Sequence, residues 1–292
     1  MDRSPERTRM TILSLDHLTL FELTPPELVQ VAAEAGFAHV GLRLHPAAPP
    51  GERQHPMLGD SPMRRETLAR MRDTGVAVFD FGVFRLKRGV DVRTFAPVLE
   101  SAAVLGARHA VVNGDEPDAR VLADLLHGLC ELGRPYGVRM NLEPTPWTGI
   151  PTLGAAVAVL AACGHPEARL MIDTIHVDRS GGTLADLAAV PPALIDYVQV
   201  CDAVGPRPAD FETMIHQARN ERAFPGDGNL DLAGMLSVLP DGIPLSLEAP
   251  VKSLAERLSA VERAQRGRAA MEVLVANVAA RREAVGGPRR AR

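Results

Sequence analysis

Eight short apolar runs, each followed by a longer stretch with helical punctuation, divide this chain from residue 12 to its C-terminal region. Residues 12–20 (ILSLDHLTL) precede a helix-like segment at 25–36 that opens with proline and closes with glycine. The pair then recurs: 38–44 before 62–75, 76–82 before 92–106, 107–113 before 117–132, and 138–143 before 151–163. Residues 169–173 lead through a Gly-rich turn to a short helix at 184–189, and 195–201 lead through a long polar connection to one at 230–239. Residues 243–248 precede a last helix reaching Ala284. Short β-type runs alternating with helices make βα units and a parallel sheet. Eight of them in unbroken succession predict an α/β fold, a single (β/α)8 TIM barrel over residues 11–285. The open doubly wound sheet is the alternative, but no G-x-G-x-x-G follows the first strand. Residues 1–10 and 286–292 are expected to be frayed or disordered ends.

Composition narrows the partners. The chain has 292 residues, 46% of them hydrophobic and 23% charged, enough for a sizeable core. A net charge of −4 offers no general attraction for a phosphate backbone or an anionic membrane, so neither nucleic acid nor a membrane is expected as a partner. Cys130, Cys163 and Cys201 are odd in number and set in apolar contexts, which reads as buried thiols in a reducing compartment. The polar start MDRSPERTRM leads into no signal-peptide core, and no apolar run approaches the ~20 residues of a spanning helix. The expectation is a cytoplasmic protein acting on a small molecule, with a homo-oligomer left open.

In a (β/α)8 barrel the reactive groups sit at the carboxyl ends of the strands. The last polar residues of the four late strands are Glu143, Asp173, Gln199 and Glu248. Glu143 and Glu248 end otherwise apolar runs, MNLE and LSLE, where an unpaired carboxylate is costly to bury. A divalent cation is the simplest partner. Three carboxylates and an amide oxygen make a hard shell that favours Mn²⁺ or Mg²⁺, with Co²⁺ or Zn²⁺ as substitutes. A helix cap or an ion pair is the bland alternative for any one of these residues. It weakens when four adjacent strand ends repeat the pattern.

His176, three residues past Asp173, can contact either the metal or the substrate; the substrate is favoured, with the imidazole as a proton shuttle or general acid. His17 on the first strand, His45 after the second and Asn113 ending the fourth fall on the same side of the barrel and are candidate substrate contacts. Trp147, the only tryptophan, follows Glu143 in PTPWTG as a candidate ligand wall. The connection 202–228 is long enough to cover a site, and Arg222 within it is a candidate anchor for an oxygen-rich substrate. Asp202 is expected to cap or orient. His39, His109, His127 and His165 lie at strand starts or on helices and receive no role. Schiff-base chemistry is disfavoured, because neither lysine, Lys87 or Lys252, ends a mid-barrel strand. The Gly-rich phosphate loops of many barrels are also missing.

With these motifs in order, Glu143 in NLEP, Asp173-Thr-Ile-His176, Gln199 in YVQVCDA, the segment ERAFPGDG and Glu248 in LSLEAP, the chain resembles the xylose isomerase-like TIM-barrel superfamily, the sugar phosphate isomerase/epimerase group. The resemblance implies one divalent metal ion, Mn²⁺ first, held by Glu143, Asp173, Gln199 and Glu248, with His176 and Arg222 on the substrate. It also implies catalysis by Glu143 and Glu248, which in ketose 3-epimerases exchange protons with opposite faces of the substrate carbon. Those epimerases carry histidine where this chain has Gln199. Glutamine there, with an arginine ahead of a P-G-x-G turn, is similar to bacterial 3-dehydroshikimate dehydratases. The expected function is a metal-dependent isomerase or epimerase of a small keto-sugar or polyol, working through an enediolate. A lyase that dehydrates a cyclic keto-polyol such as 3-dehydroshikimate or an inosose is the alternative. A non-catalytic ligand-binding barrel is the third reading.

Overall fold

The computed structural model describes residues 11–44 and 55–285. Eight parallel strands close on themselves in sequence order: β1 Leu13–Leu15, β2 His39–Arg43, β3 Ala77–Leu86, β4 His109–Gly114, β5 Arg139–Glu143, β6 Ala168–Asp173, β7 Ile195–Val200 and β8 Leu245–Leu247. Strand β8 pairs with β1 through Ser14 opposite Ser246, which completes the single (β/α)8 barrel. The first five helices are α1 Pro25–Glu34, α2 Pro62–Thr74, α3 Ala96–Val104, α4 Ala119–Gly133 and α5 Leu153–Cys163. They are followed by α6 Thr174–Arg179, α7 Leu184–Ala189, α8 Phe211–Asn220, α9 Leu232–Ser237 and α10 Ala260–Val285. The ends expected to fray, 1–10 and 286–292, lie outside the described residues, as does His45. No helix among the described residues is long and apolar enough to cross a membrane.

Side-chain alternation assigns the layers. Leu15, Val40, Leu42, Val112, Leu142, Leu170, Val198 and Leu247 face outward and pack under the helices in the main core. A separate cluster of Phe79, Val83, Val111, Met171 and Tyr197 fills the barrel interior, with Phe79 and Tyr197 edge to face at 5.2 Å. Local signals start the helices: Asp118 accepts from the amides of Arg120 and Val121 ahead of α4, and Thr152 accepts from Ala155 ahead of α5. Gly75 ends α2 at φ 75°, a left-handed position that glycine takes at no steric cost.

Four boundaries differ from the sequence expectation. The first strand stops at Leu15, because the Asp16 carboxylate caps the Leu18 amide at 2.7 Å and turns residues 17–20 into a 3-10 helix. His17 is therefore past the strand rather than on it. Strand β3 runs on to Leu86 through a register shift against β4. Asp173 caps α6 through the Ile175 amide, so a helix precedes the Gly-rich turn. The connection 202–228 is not a bare loop, since α8 lies within it.

Candidate active site

Parallel βα connectivity brings all the strand ends to one mouth, where a cavity of about 610 Å³ opens. Glu143 ends β5, Asp173 ends β6, Gln199 is the penultimate residue of β7, and Glu248 follows β8. Glu143, Gln199 and Glu248 line the cavity together with Asn113, Trp147, His176 and Arg222. Asp173 is not part of the wall: its Oδ2 receives Arg222 Nη1 at 2.8 Å and stands 3.5 Å from His176 Nε2.

Arg222 organises the charges. Its guanidinium, 4% exposed, also pairs with Glu248 Oε2 at 2.9 Å and donates to the backbone carbonyls of Ala218 at 2.6 Å and Glu248 at 3.0 Å. Asp202 holds the segment that delivers it, accepting from the amides of Gly226 at 3.0 Å and Leu230 at 2.9 Å. Burial opposes ionisation of Asp173, but the Arg222 charge outweighs it, with His176 assisting, and keeps that carboxyl below its ordinary range. Burial pushes Glu143 up to about 7, reinforced by the negative Asp173 and resisted by Asn113, which donates to Glu143 Oε2 at 2.6 Å. Burial raises Glu248 well above its usual value despite Arg222. Burial also lowers His176 to about 4 against the pull of Asp173, so its imidazole is neutral near pH 7. Trp147 sets its edge against that ring at 5.1 Å.

The compact group differs from the expected ligand set at two residues, His176 and Glu248. Among the described residues, the group compact enough to share an ion is Glu143, Asp173 and His176, whose ligand atoms all lie within 4.8 Å of one another. His176, expected on the substrate, joins the carboxylates, because one turn of α6 folds it back over Asp173. Glu248, expected as a ligand, lies outside this compact group and pairs with Arg222. Gln199 donates to Asp16 Oδ2 at 3.5 Å, which leaves its Oε1 buried and without a hydrogen-bond partner among the described residues. Two buried carboxylates, a neutral imidazole and an unpaired amide oxygen suit a divalent cation.

His17 does not line the cavity. Its Nε2 contacts the Leu23 carbonyl at 2.9 Å and its Nδ1 accepts from the Arg43 amide at 3.1 Å, so both ring nitrogens serve the backbone. Arg43, Asp16, Arg219 and Lys252 line the cavity without having been anticipated. Asp16 carried the same signal as the two glutamates, an acid directly after an apolar run, in SLD. Arg43 and Lys252 have none in the sequence, since a strand-end or loop cation is ordinarily solvated.

Comparison with known proteins follows the same lines. A family model described as xylose isomerase-like TIM barrel matches residues 29–275. A 3-dehydroshikimate dehydratase from Pseudomonas putida is 27% identical over 241 residues, covering 77% of this chain and 36% of that protein. An inosose isomerase from Halalkalibacterium halodurans is 26% identical over 160 residues, covering 51% of this chain and 55% of the relative. The chain thus spans only about a third and about half of the length of these two relatives. Among solved structures, the IOLI protein with a bound zinc atom superposes with a TM-score of 0.74 at 18% identity, covering 92% of this chain and 99% of that one. L-ribulose 3-epimerase does so with 0.71 at 16% identity, covering 97% and 100%. At these identities the structural likeness shows the fold alone.

Proposed function

This chain belongs to the xylose isomerase-like TIM-barrel family, and from that premise we propose that it is a divalent-metal-dependent isomerase or epimerase of a small keto-sugar or polyol. The observation that carries this reading is the pair Glu143 and Glu248. Both line one cavity from strands three apart around the barrel, and both hold their protons more tightly than an ordinary glutamate. A carboxyl poised near neutrality removes a proton from carbon and returns one effectively. Glu143 and Glu248, on different walls, serve both faces of a planar enediolate.

Asn113 fixes one oxygen of Glu143, which leaves Oε1 toward His176 and the cavity. Arg222 holds Glu248 on the opposite side and lines the cavity, where a guanidinium anchors substrate oxygens. Trp147 supplies an apolar wall beside His176. His176, neutral by burial, offers one free ring nitrogen to a metal and keeps one N–H for a substrate oxygen. Glu143, Asp173 and His176 would hold the metal, and Gln199, paired with Asp173 across β6 and β7 and carrying an unpartnered buried Oε1, is a further candidate ligand. When bound, such an ion supplies Lewis acidity that stabilises the negative charge developing on the substrate oxygen. Mn²⁺ remains the first choice. The imidazole nitrogen widens the fit to Co²⁺ and Zn²⁺, and the zinc described in the similarly folded IOLI protein supports metal dependence.

The second reading, dehydration of a cyclic keto-polyol, is favoured by the similarity to the Pseudomonas putida dehydratase. It also agrees with glutamine at position 199. Both readings are tested by incubating the Mn²⁺-loaded protein in D₂O with keto-sugars, inososes and 3-dehydroshikimate, followed by NMR and ultraviolet absorbance. Deuterium entering next to the carbonyl without loss of water is the expected result. A conjugated, ultraviolet-absorbing product transfers the chain to the lyases. Failure of every substrate to exchange, with Mn²⁺ bound, leaves the ligand-binding barrel.

A further inference from the structure

We propose that the barrel interior beneath the cavity holds a monovalent metal cation, Na⁺ or K⁺, between the carboxylates of Asp16 and Asp80. Asp80 lies within β3, opposite Gly41 of β2, and is fully buried. A Cβ on Gly41 would stand 2.2 Å from Asp80 Oδ1 and 2.8 Å from Asp16 Oδ2. The two carboxylates therefore crowd one point, and only glycine leaves them room.

Asp16 is anchored by the Leu18 amide. Neither oxygen of Asp80 has a hydrogen-bond partner among the described residues. The Tyr197 hydroxyl faces Asp80 but makes no well-formed hydrogen bond. The hydroxyls of Ser14 and Ser246, directly opposite each other on β1 and β8, are likewise buried and unpaired. Five unsatisfied oxygens thus lie in the barrel interior, where TIM barrels ordinarily stack branched apolar side chains.

Buried charges need a counter-charge, and buried polar atoms need partners. Arg43 supplies some positive potential to both carboxylates, yet its guanidinium also lies 3.9 Å from Glu248. Arg222 also acts on Asp16 but is paired with Asp173 and Glu248, so both guanidiniums are shared with other carboxylates and the pair at Gly41 is short of positive charge. A proton on Asp80 would supply the charge but bridge a single pair of oxygens, leaving the hydroxyls unpaired. A cation takes several oxygen ligands at once, and a single charge matches the deficit.

The test compares thermal unfolding of the Mn²⁺-loaded protein in NaCl, KCl and choline chloride at equal ionic strength. The expected result is a midpoint higher in Na⁺ or K⁺ than in choline, rising by about 3–5 °C for each tenfold excess over the dissociation constant. D80N abolishes the difference. Crystals grown with RbCl show an anomalous peak between Asp16 and Asp80. Equal midpoints in all three salts, or a D80N protein that keeps the shift, overturn the proposal in favour of a shared proton and water. Should D80N fail to fold, Y197F decides: a half-saturating concentration raised about 10-fold or more supports the site, and an unchanged one refutes it.

Discussion

Replacing Arg222 by methionine isolates the charge that separates Asp173 from Glu248. The guanidinium is buried and pairs with both carboxylates, at 2.8 and 2.9 Å, so its removal strands two acids at once. Breaking a buried pair by deleting one partner costs about 3–5 kcal/mol. Glu248 softens this, because its raised proton affinity lets it neutralise itself; the lower part of that range, about 3–4 kcal/mol, applies. For a chain of this size the metal-free unfolding midpoint then falls by about 6–16 °C. Divalent metal acts in the opposite direction, since Asp173 loses a competing cation and Mn²⁺ affinity rises by about tenfold or more. Calorimetric unfolding with and without Mn²⁺, together with isothermal titration of the metal, measures both quantities. A metal-free midpoint within about 3 °C of wild type, or weaker Mn²⁺ binding in R222M, refutes the placement of Arg222 as the counter-charge of this site.

Other consequences are open to direct measurement. Glu143→Gln keeps the shape and the Asn113 contact but removes the proton acceptor, so turnover should fall about 10²–10⁴-fold with circular dichroism unchanged; activity within tenfold of wild type would count against Glu143 as the base. Glu143 also links metal to pH. Its folded-state carboxyl, at about 7, lies above its ordinary value of 4.5, so the stability it contributes to the metal-free protein is full below 4.5 and is lost as pH rises through 7, about 3 kcal/mol in all. Mn²⁺ requires the carboxylate, so the gain in unfolding midpoint on adding Mn²⁺ should widen from pH 5.5 to pH 8, and a constant gain would contradict it. Trp147→Leu removes the wall beside His176 and should raise KM several-fold with a smaller change in kcat, measured by steady-state kinetics on whichever substrate the D₂O screen identifies.

Much of this protein is legible along the chain. Eight apolar runs, each followed by a helix with its own cap, determine a closed parallel barrel, because such strands bury both faces only when helices cover the outside. Barrel connectivity then carries Glu143, Asp173, Gln199 and Glu248 to one mouth, whatever the packing details. Strand termini, alternation and caps are local properties, decided within a few residues. How those side chains share charge is not local. Arg222 reaches Asp173 from 49 positions away and pairs with Glu248 as well. His176 enters that group through a single turn of α6, and the convergence of Asp16 with Asp80 at Gly41 emerges only once β1, β2 and β3 are aligned. Burial and Coulomb energies depend on distances between segments remote in sequence, and closure of the barrel is what sets those distances.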